Sequence, residues 1–223
     1  MVHPHSSTLW HVALPTLIAG VLFTASTRFD AASGPSAAQE ELQPAPIVAT
    51  PPSPVHTWFE EGTLRLEALP TIPADQIDAE TLWLARCIYS ETKRPHEQEL
   101  VAWVIRNRVE TQYRGKRTYR GVVLDPFQFS AFIPGQWKID HYGQLKATDN
   151  LGPTWESAKA IAFYVRHASA ERNPFPSKTR HFYSEQSMVD RSSPAWADGR
   201  QPVAPRRDYT VDARRFRFFA GIS

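Results

Sequence analysis

The chain has 223 residues, 42% of them hydrophobic and 22% charged, which excludes wholesale disorder and leaves room for one substantial core with accessory segments. A formal net charge of +2 is too small to point to nucleic acid, and a single cysteine excludes an internal disulfide and any Cys-based zinc cluster. The basic end around Arg206, Arg207, Arg214, Arg215 and Arg217 would suit an anionic polymer, although a solvated surface is the plainer reading.

Residues 9–25, LWHVALPTLIAGVLFTA, run for 17 positions without a charged side chain. That is long for a signal-peptide core and sits at the short limit of a membrane span, roughly 17–25 residues. Residues 1–30 are therefore expected to direct export as a signal peptide or a retained anchor. The mature protein would be periplasmic or extracellular, or held at the inner membrane if the segment is kept. Residues 31–57 are rich in Pro, Ala and Ser and read as a disordered linker. Composition changes at Trp58, and six of the seven tryptophans lie from there onward, so the folded domain is expected over residues 58–223.

Within it, the spacing predicts a helix from a capping Asp78 to Ser90 or Glu91. A second helix is predicted from Pro95 to about Glu110, with Leu100, Val101, Val104, Ile105 and Arg108 at helical spacing. A third opens after Gly152-Pro153 and carries Ala158, Ile161, Ala162 and Val165 on one face. Residues 122–143 between the second and third read as aromatic and turn-rich. HFYS at 181–184 and RFRFF at 215–219 read as short strands. The fold class expected is α+β, helix-dominated, with a long irregular stretch at 185–208 whose length suggests a functional surface.

The stretch LWLARCIYSETKRP, residues 82–95, holds the main chemical signal. Leu84, Cys87, Ile88 and Glu91 stand at i, i+3, i+4 and i+7, so a carboxylate continues an apolar stripe just before a proline. A structural Glu91 would cap the next helix or pair with Lys93 or Arg94. A functional Glu91, buried beside Cys87 and Ile88, would hold its proton at neutral pH and could protonate a leaving oxygen, as glycosidic-bond cleavage requires. Asp125, Asp140 and Asp149 are available as partners for two-carboxylate chemistry, and the sequence places none of them opposite Glu91. Other chemistries lack their motifs: there is no GxSxG, no HExxH and no phosphate-cradling glycine loop. No metal and no cofactor are expected.

The block CIYSETKRPHEQELVAWVIRNRVE, followed by VVLDPFQFSAF and HFYSEQSMVDRSSPAW, resembles the spore-cortex-lytic, or cell wall hydrolase, family, over roughly residues 82–222. The resemblance implies a lysozyme-like fold, akin to resuscitation-promoting factors and lytic transglycosylases. It implies peptidoglycan glycan strands as substrate and Glu91 as the single catalytic acid. It matches Gln128, Phe129 and Ser130, then His181, Phe182 and Tyr183, and then Trp196, to the family's blocks. Of these, Gln128, Phe129, Ser130, His181, Tyr183 and Trp196 become candidate glycan contacts. Two departures stand out: Glu97 replaces the glycine common before Gln98 in a shortened connection, and the terminal RRFRFFAGI lacks the family's histidine. Lytic transglycosylation is the expected mechanism, with simple hydrolysis close behind. A monomer is expected, and a non-catalytic peptidoglycan-binding module is the alternative.

Overall fold

The computed structural model describes residues 69–222 except 189, 191, 207, 208, 210, 211 and 213. The export segment and the linker expected over residues 1–57 lie outside the described residues, as does the start of the folded domain at Trp58. The described part is helix-dominated α+β. Helices α1 (Ala79–Glu91), α2 (Pro95–Glu110), α3 (Tyr119–Val123), α4 (Trp137–Gly143) and α5 (Pro153–His167) precede and flank a two-stranded sheet of β1 (Thr179–Tyr183) and β2 (Arg217–Ala220).

Each long helix starts on chemistry visible in the sequence. The Asp78 side chain accepts the Thr81 N–H at 2.7 Å and so satisfies one orphan donor of α1. Asp78 also pairs with Arg166 of α5, which fixes the two helices against each other. Pro95 and Pro153 occupy first-turn positions of α2 and α5, where the missing N–H costs nothing. Gly152 precedes the second of these at φ 84°, a backbone conformation that favours glycine.

Helix α2 is the centre of the molecule, packed against α1, α3, α5 and β1. Leu100 through Ile105 are all fully buried, so almost no side of this helix reaches water. Its buried polar residues are correspondingly tied down. Asn107 donates to the carbonyls of Thr179 (2.9 Å) and Pro176 (3.2 Å), fastening α2 to the start of β1. Arg106 donates to Val165 and Ala168 carbonyls at 2.6 and 2.7 Å, meeting the open C-terminal end of α5 with a cation. Trp103, Trp155, Leu84, Ile88 and Ile161 fill the space between α1, α2 and α5.

The strands pair antiparallel, with Phe182 opposite Phe218 and Tyr183 opposite Arg217, and with an irregularity between Thr179 and His181. Strand β1 starts before the position that the sequence pattern marks, at Thr179, and β2 starts after it, at Arg217. Arg215 and Phe216 are held in a turn by hydrogen bonds to the Asp212 carbonyl, which delays β2. The sheet is apolar on both faces. Phe216 and Phe218 join Phe175 and Phe182 in the main core, whereas Phe219 stacks on Tyr183 and meets Trp196 in a smaller cluster. The region 122–143 holds two elements that the sequence pattern did not reveal, the end of α3 and the whole of α4. At 5 and 7 residues they are too short to display a helical period.

Candidate active site

Glu91 is the last residue of α1, carried to the interior edge by the stripe Leu84, Cys87, Ile88, each fully buried. The residue is partly exposed as a whole, yet its Oε1 is sealed from solvent and has no hydrogen-bond partner. Burial raises its carboxyl to about 7, against the opposing pull of the Arg108 and Lys138 cations. The helix dipole works in the same direction as burial, because a negative charge is disfavoured at the carbonyl end and α1 has no basic residue in its last turn. A group of this kind holds its proton in about half of the molecules at pH 7 and can both give it up and take it back.

The chain leaves Glu91 through Thr92, which is buried and clamped. Its N–H closes α1 on the Ile88 carbonyl, and its own carbonyl accepts from Gln98 Nε2 at 2.9 Å. Its hydroxyl donates to Glu97 Oε2 at 2.5 Å and accepts the Arg94 N–H at 3.2 Å. Glu97 is itself fully buried and receives Arg215 Nε at 2.9 Å on its other oxygen. Glu97, in the first turn of α2 beside the short connection, is thus paired with an arginine of the segment before β2. The pair ties the short connection after α1 to the segment before β2.

Arg108 projects from α2 and is only 4% exposed. Its Nε donates to the Arg180 carbonyl at 2.6 Å, and its guanidinium lies 5.6 Å from the Tyr113 ring centre and 5.3 Å from that of Phe129. Nη1 is buried without an acceptor. Desolvation lowers Arg108 to about 10, so it is charged at neutral pH, with Tyr113, Cys87, Asp125 and Glu91 acting on it in the opposite sense. Further along the same group, Tyr113 Oη lies 3.0 Å from His181 Nε2. Burial and the neighbouring cations Arg108, Arg180 and Arg200 push His181 down to about 4, so its ring is neutral at pH 7. Its Nδ1 is buried and unpartnered.

The sequence-matched residues fall into three groups. His181, Tyr183 and Trp196 are brought together, with ring centres of His181 and Trp196 5.3 Å apart and those of Tyr183 and Trp196 5.8 Å apart. Phe129 (2% exposed) and Tyr183 (9%) are packed into the two cores. Arg108 and Phe182 lie against the Phe129 ring, and Phe219 stacks on that of Tyr183. Gln128 is partly exposed and Ser130 exposed, on the turn leading into a single 3-10 turn over Ser130–Phe132.

Of the candidate carboxylate partners, Asp125 is held by Arg114 at 2.6 Å and Lys116 at 3.6 Å, Asp149 accepts the Lys146 N–H, and Asp140 is exposed on α4. None is among the charges that act on Glu91. Sequence reasoning missed Tyr113, Lys138 and Tyr142, which sit in segments with no period, and it saw Arg108 only as one position in a helical stripe. The stripe was the usable signal, since Arg108 interrupts an apolar face as Glu91 does. Trp137, next to Lys138, is 68% exposed and presents an open ring on α4. Among the described residues, no three His, Cys, Asp or Glu side chains are grouped so as to hold a metal ion. No protein-family model, no curated protein and no solved structure matches the chain.

Proposed function

We propose that this protein cleaves the glycan strands of peptidoglycan as a lysozyme-like lytic transglycosylase, with Glu91 as the acid and then the base. The observation that carries the reading is the Glu91 carboxyl at the end of α1, raised to about 7, whose Oε1 is buried and unpartnered. Glu91 gives its proton to the glycosidic oxygen as the C1–O bond breaks. Its carboxylate then takes the proton of the 6-hydroxyl of the same muramoyl sugar while O6 closes on C1. The proton is returned to Glu91, no water is consumed, and a 1,6-anhydro ring is left.

What favours an internal nucleophile over water is the surroundings of Glu91. An inverting hydrolase holds its water with a second carboxylate roughly 6.5–9.5 Å away, and a retaining one places a nucleophile at about 5 Å. Here the charges acting on Glu91 are cationic, and Asp125 is engaged by Arg114 and Lys116. Digestion of purified walls is expected to give muropeptides ending in 1,6-anhydromuramic acid, lighter by one water than hydrolytic products and with no new reducing ends. Mass analysis of the separated products checks this. Reducing muramic acid ends would replace the transglycosylase with a muramidase, and walls bound without any cleavage would leave a binding module.

A further inference from the structure

Among the described residues three large apolar side chains are exposed, Phe127, Trp137 and Leu151, and a single exposed apolar group needs no explanation by itself. Trp137 differs in what stands behind it. At 68% exposure it adds little to the core, yet a row of rings leads from it to the end of α1. Its ring centre lies 6.1 Å from that of His141, one turn along α4, with the planes tilted by 52°. His141 lies 4.8 Å from Tyr142, and Tyr142 lies 6.1 Å from Tyr89 of α1. Tyr89 in turn meets the fully buried Trp155 at 5.2 Å, which anchors the row in the core.

The inner end of the row is at the acid. Tyr89 stands two residues before Glu91, and Lys93 two residues after it. The Lys93 ammonium lies 3.1 Å from the Tyr89 ring centre and 5.6 Å from that of Tyr142. The chain on both sides of Glu91 is therefore packed to α4. The electrostatics agree with that placement. Burial raises the Tyr142 hydroxyl and the charges of Tyr89 and Glu91 add to it, while Lys138, next to Trp137, is with Arg108 one of two cations acting on Glu91. Unlike Phe129 and Tyr183, these rings reach water: Trp137 and His141 are exposed, and Tyr142 and Tyr89 are partly buried.

What fits such a row follows from its chemistry. Ring faces alternate with hydrogen-bonding groups, namely the His141 ring nitrogens, the Tyr142 and Tyr89 hydroxyls and the Lys93 amine. A pyranose has the complementary mixture, apolar C–H faces within a rim of hydroxyls and amides. The steps between neighbouring rings are also comparable with the advance of one sugar along a β-1,4-linked strand. Other occupants fit less well. The core of a protein–protein interface is depleted of lysine. A helix that lies on a membrane sets one broad apolar face against a basic one, whereas α4 has seven residues and an exposed Asp140. We propose that Trp137, His141, Tyr142 and Tyr89 form a glycan-binding subsite running from the acid along α4, with the open face of Trp137 stacked on a sugar ring at its outer end. This rests on the glycan-cleaving reading and deepens it by giving the strand a path across the molecule.

The test uses the full chain carrying Glu91→Gln, which on that reading binds without cutting, alone and combined with Trp137→Ala, Trp137→Phe or Trp137→Leu. Position 137 is on the surface, so these variants keep the fold, which circular dichroism verifies. The probes are an N-acetylglucosamine hexamer and peptide-free glycan strands from purified walls. Trp137→Ala is expected to weaken binding of both roughly 10-fold, the worth of covering one face of an indole ring. Phenylalanine restores most of the loss, and leucine, apolar but without a flat face, does not. Weakening confined to the wall strands keeps the subsite and assigns the stacked unit to muramoyl-containing glycan.

A second readout is the indole N–H resonance of Trp137, identified by its absence in Trp137→Phe, which shifts as hexamer or strand is added. Equal binding of both probes to the folded Trp137→Ala chain overturns the subsite, as does an indole resonance that neither probe moves. A change from dimer to monomer in that variant, with glycan binding unaltered, overturns it in favour of a second copy. Failure of the Glu91→Gln chain to bind either probe overturns it as well. Trp137-dependent binding in a chain whose native form cuts no wall overturns the cleavage reading alone, and cutting with Trp137-independent binding overturns the subsite alone.

Discussion

On the proposed reading, replacing Glu91 by glutamine is expected to slow wall clearing by about 10²–10⁴-fold while leaving the fold intact, the usual contribution of a positioned general acid. The amide has nearly the same shape but no proton to give. The same substitution stabilises the protein, and the sign follows from linkage. A carboxyl near 4.5 in the unfolded chain and about 7 in the folded one binds its proton more tightly when folded. The folded state is therefore favoured most at low pH and loses that advantage as pH rises through this window. Above it, burial of the charged form costs about 3 kcal/mol, since each tenfold difference in proton affinity between the two states is worth roughly 1.4 kcal/mol. Glu91→Gln should thus melt several degrees higher than native at pH 8 and about the same at pH 4.5. With Glu91 as the acid, kcat/KM for wall cleavage by the native chain should also fall on the alkaline side of about pH 7. A variant that clears walls at the native rate removes Glu91 from the chemistry.

The second large effect is structural. Arg215→Ala leaves Glu97, a fully buried carboxylate, with the Thr92 hydroxyl and a distant Arg94 at 3.7 Å. Removing one partner of a buried pair costs about 3–5 kcal/mol, and because the Arg215 side chain is 28% exposed the lower figure is expected. At roughly 2–4 °C per kcal/mol for a chain of this size, the melting temperature should drop by about 6–12 °C. The double variant Glu97→Gln with Arg215→Met should lose less than the two single variants summed, because the charge left unpaired is gone. A change within about 0.5 kcal/mol for Arg215→Ala, the range of an ordinary surface substitution, would show that the pair contributes nothing.

The long helices were legible because their signals are local. Asp78, Pro95 and Gly152-Pro153 mark where they start, and apolar residues at intervals of three and four mark what they bury. Glu91 was legible for the same reason, as a charge in an apolar row. What the sequence hid is everything made by distant partners. Glu97 reads as an oddity of a short connection until Arg215 is beside it, and Arg108 reads as one position in a helical stripe until Phe129, Tyr113 and Arg180 close over it. Phe129 and Tyr183 were legible as aromatics but not as packed ones. Aromatics in loop-like sequence look available to a ligand, and only the packing of the small sheet shows them enclosed.

The ion pair between Glu97 and Arg215 joins positions 118 residues apart, and Tyr209 reaches Glu99 across 110. Contacts of such span come late in folding, because closing a long loop costs entropy before any contact repays it. Helices α1 and α2 form from neighbours, so the acid is built early and its support late. A refolding chain should regain helical signal in one phase and wall-cutting activity in a slower one, as the final strand docks. Time-resolved circular dichroism followed beside regained activity would reveal the lag, and simultaneous recovery would exclude it. The end of the first helix is thus held in place by a partner 118 residues away along the chain.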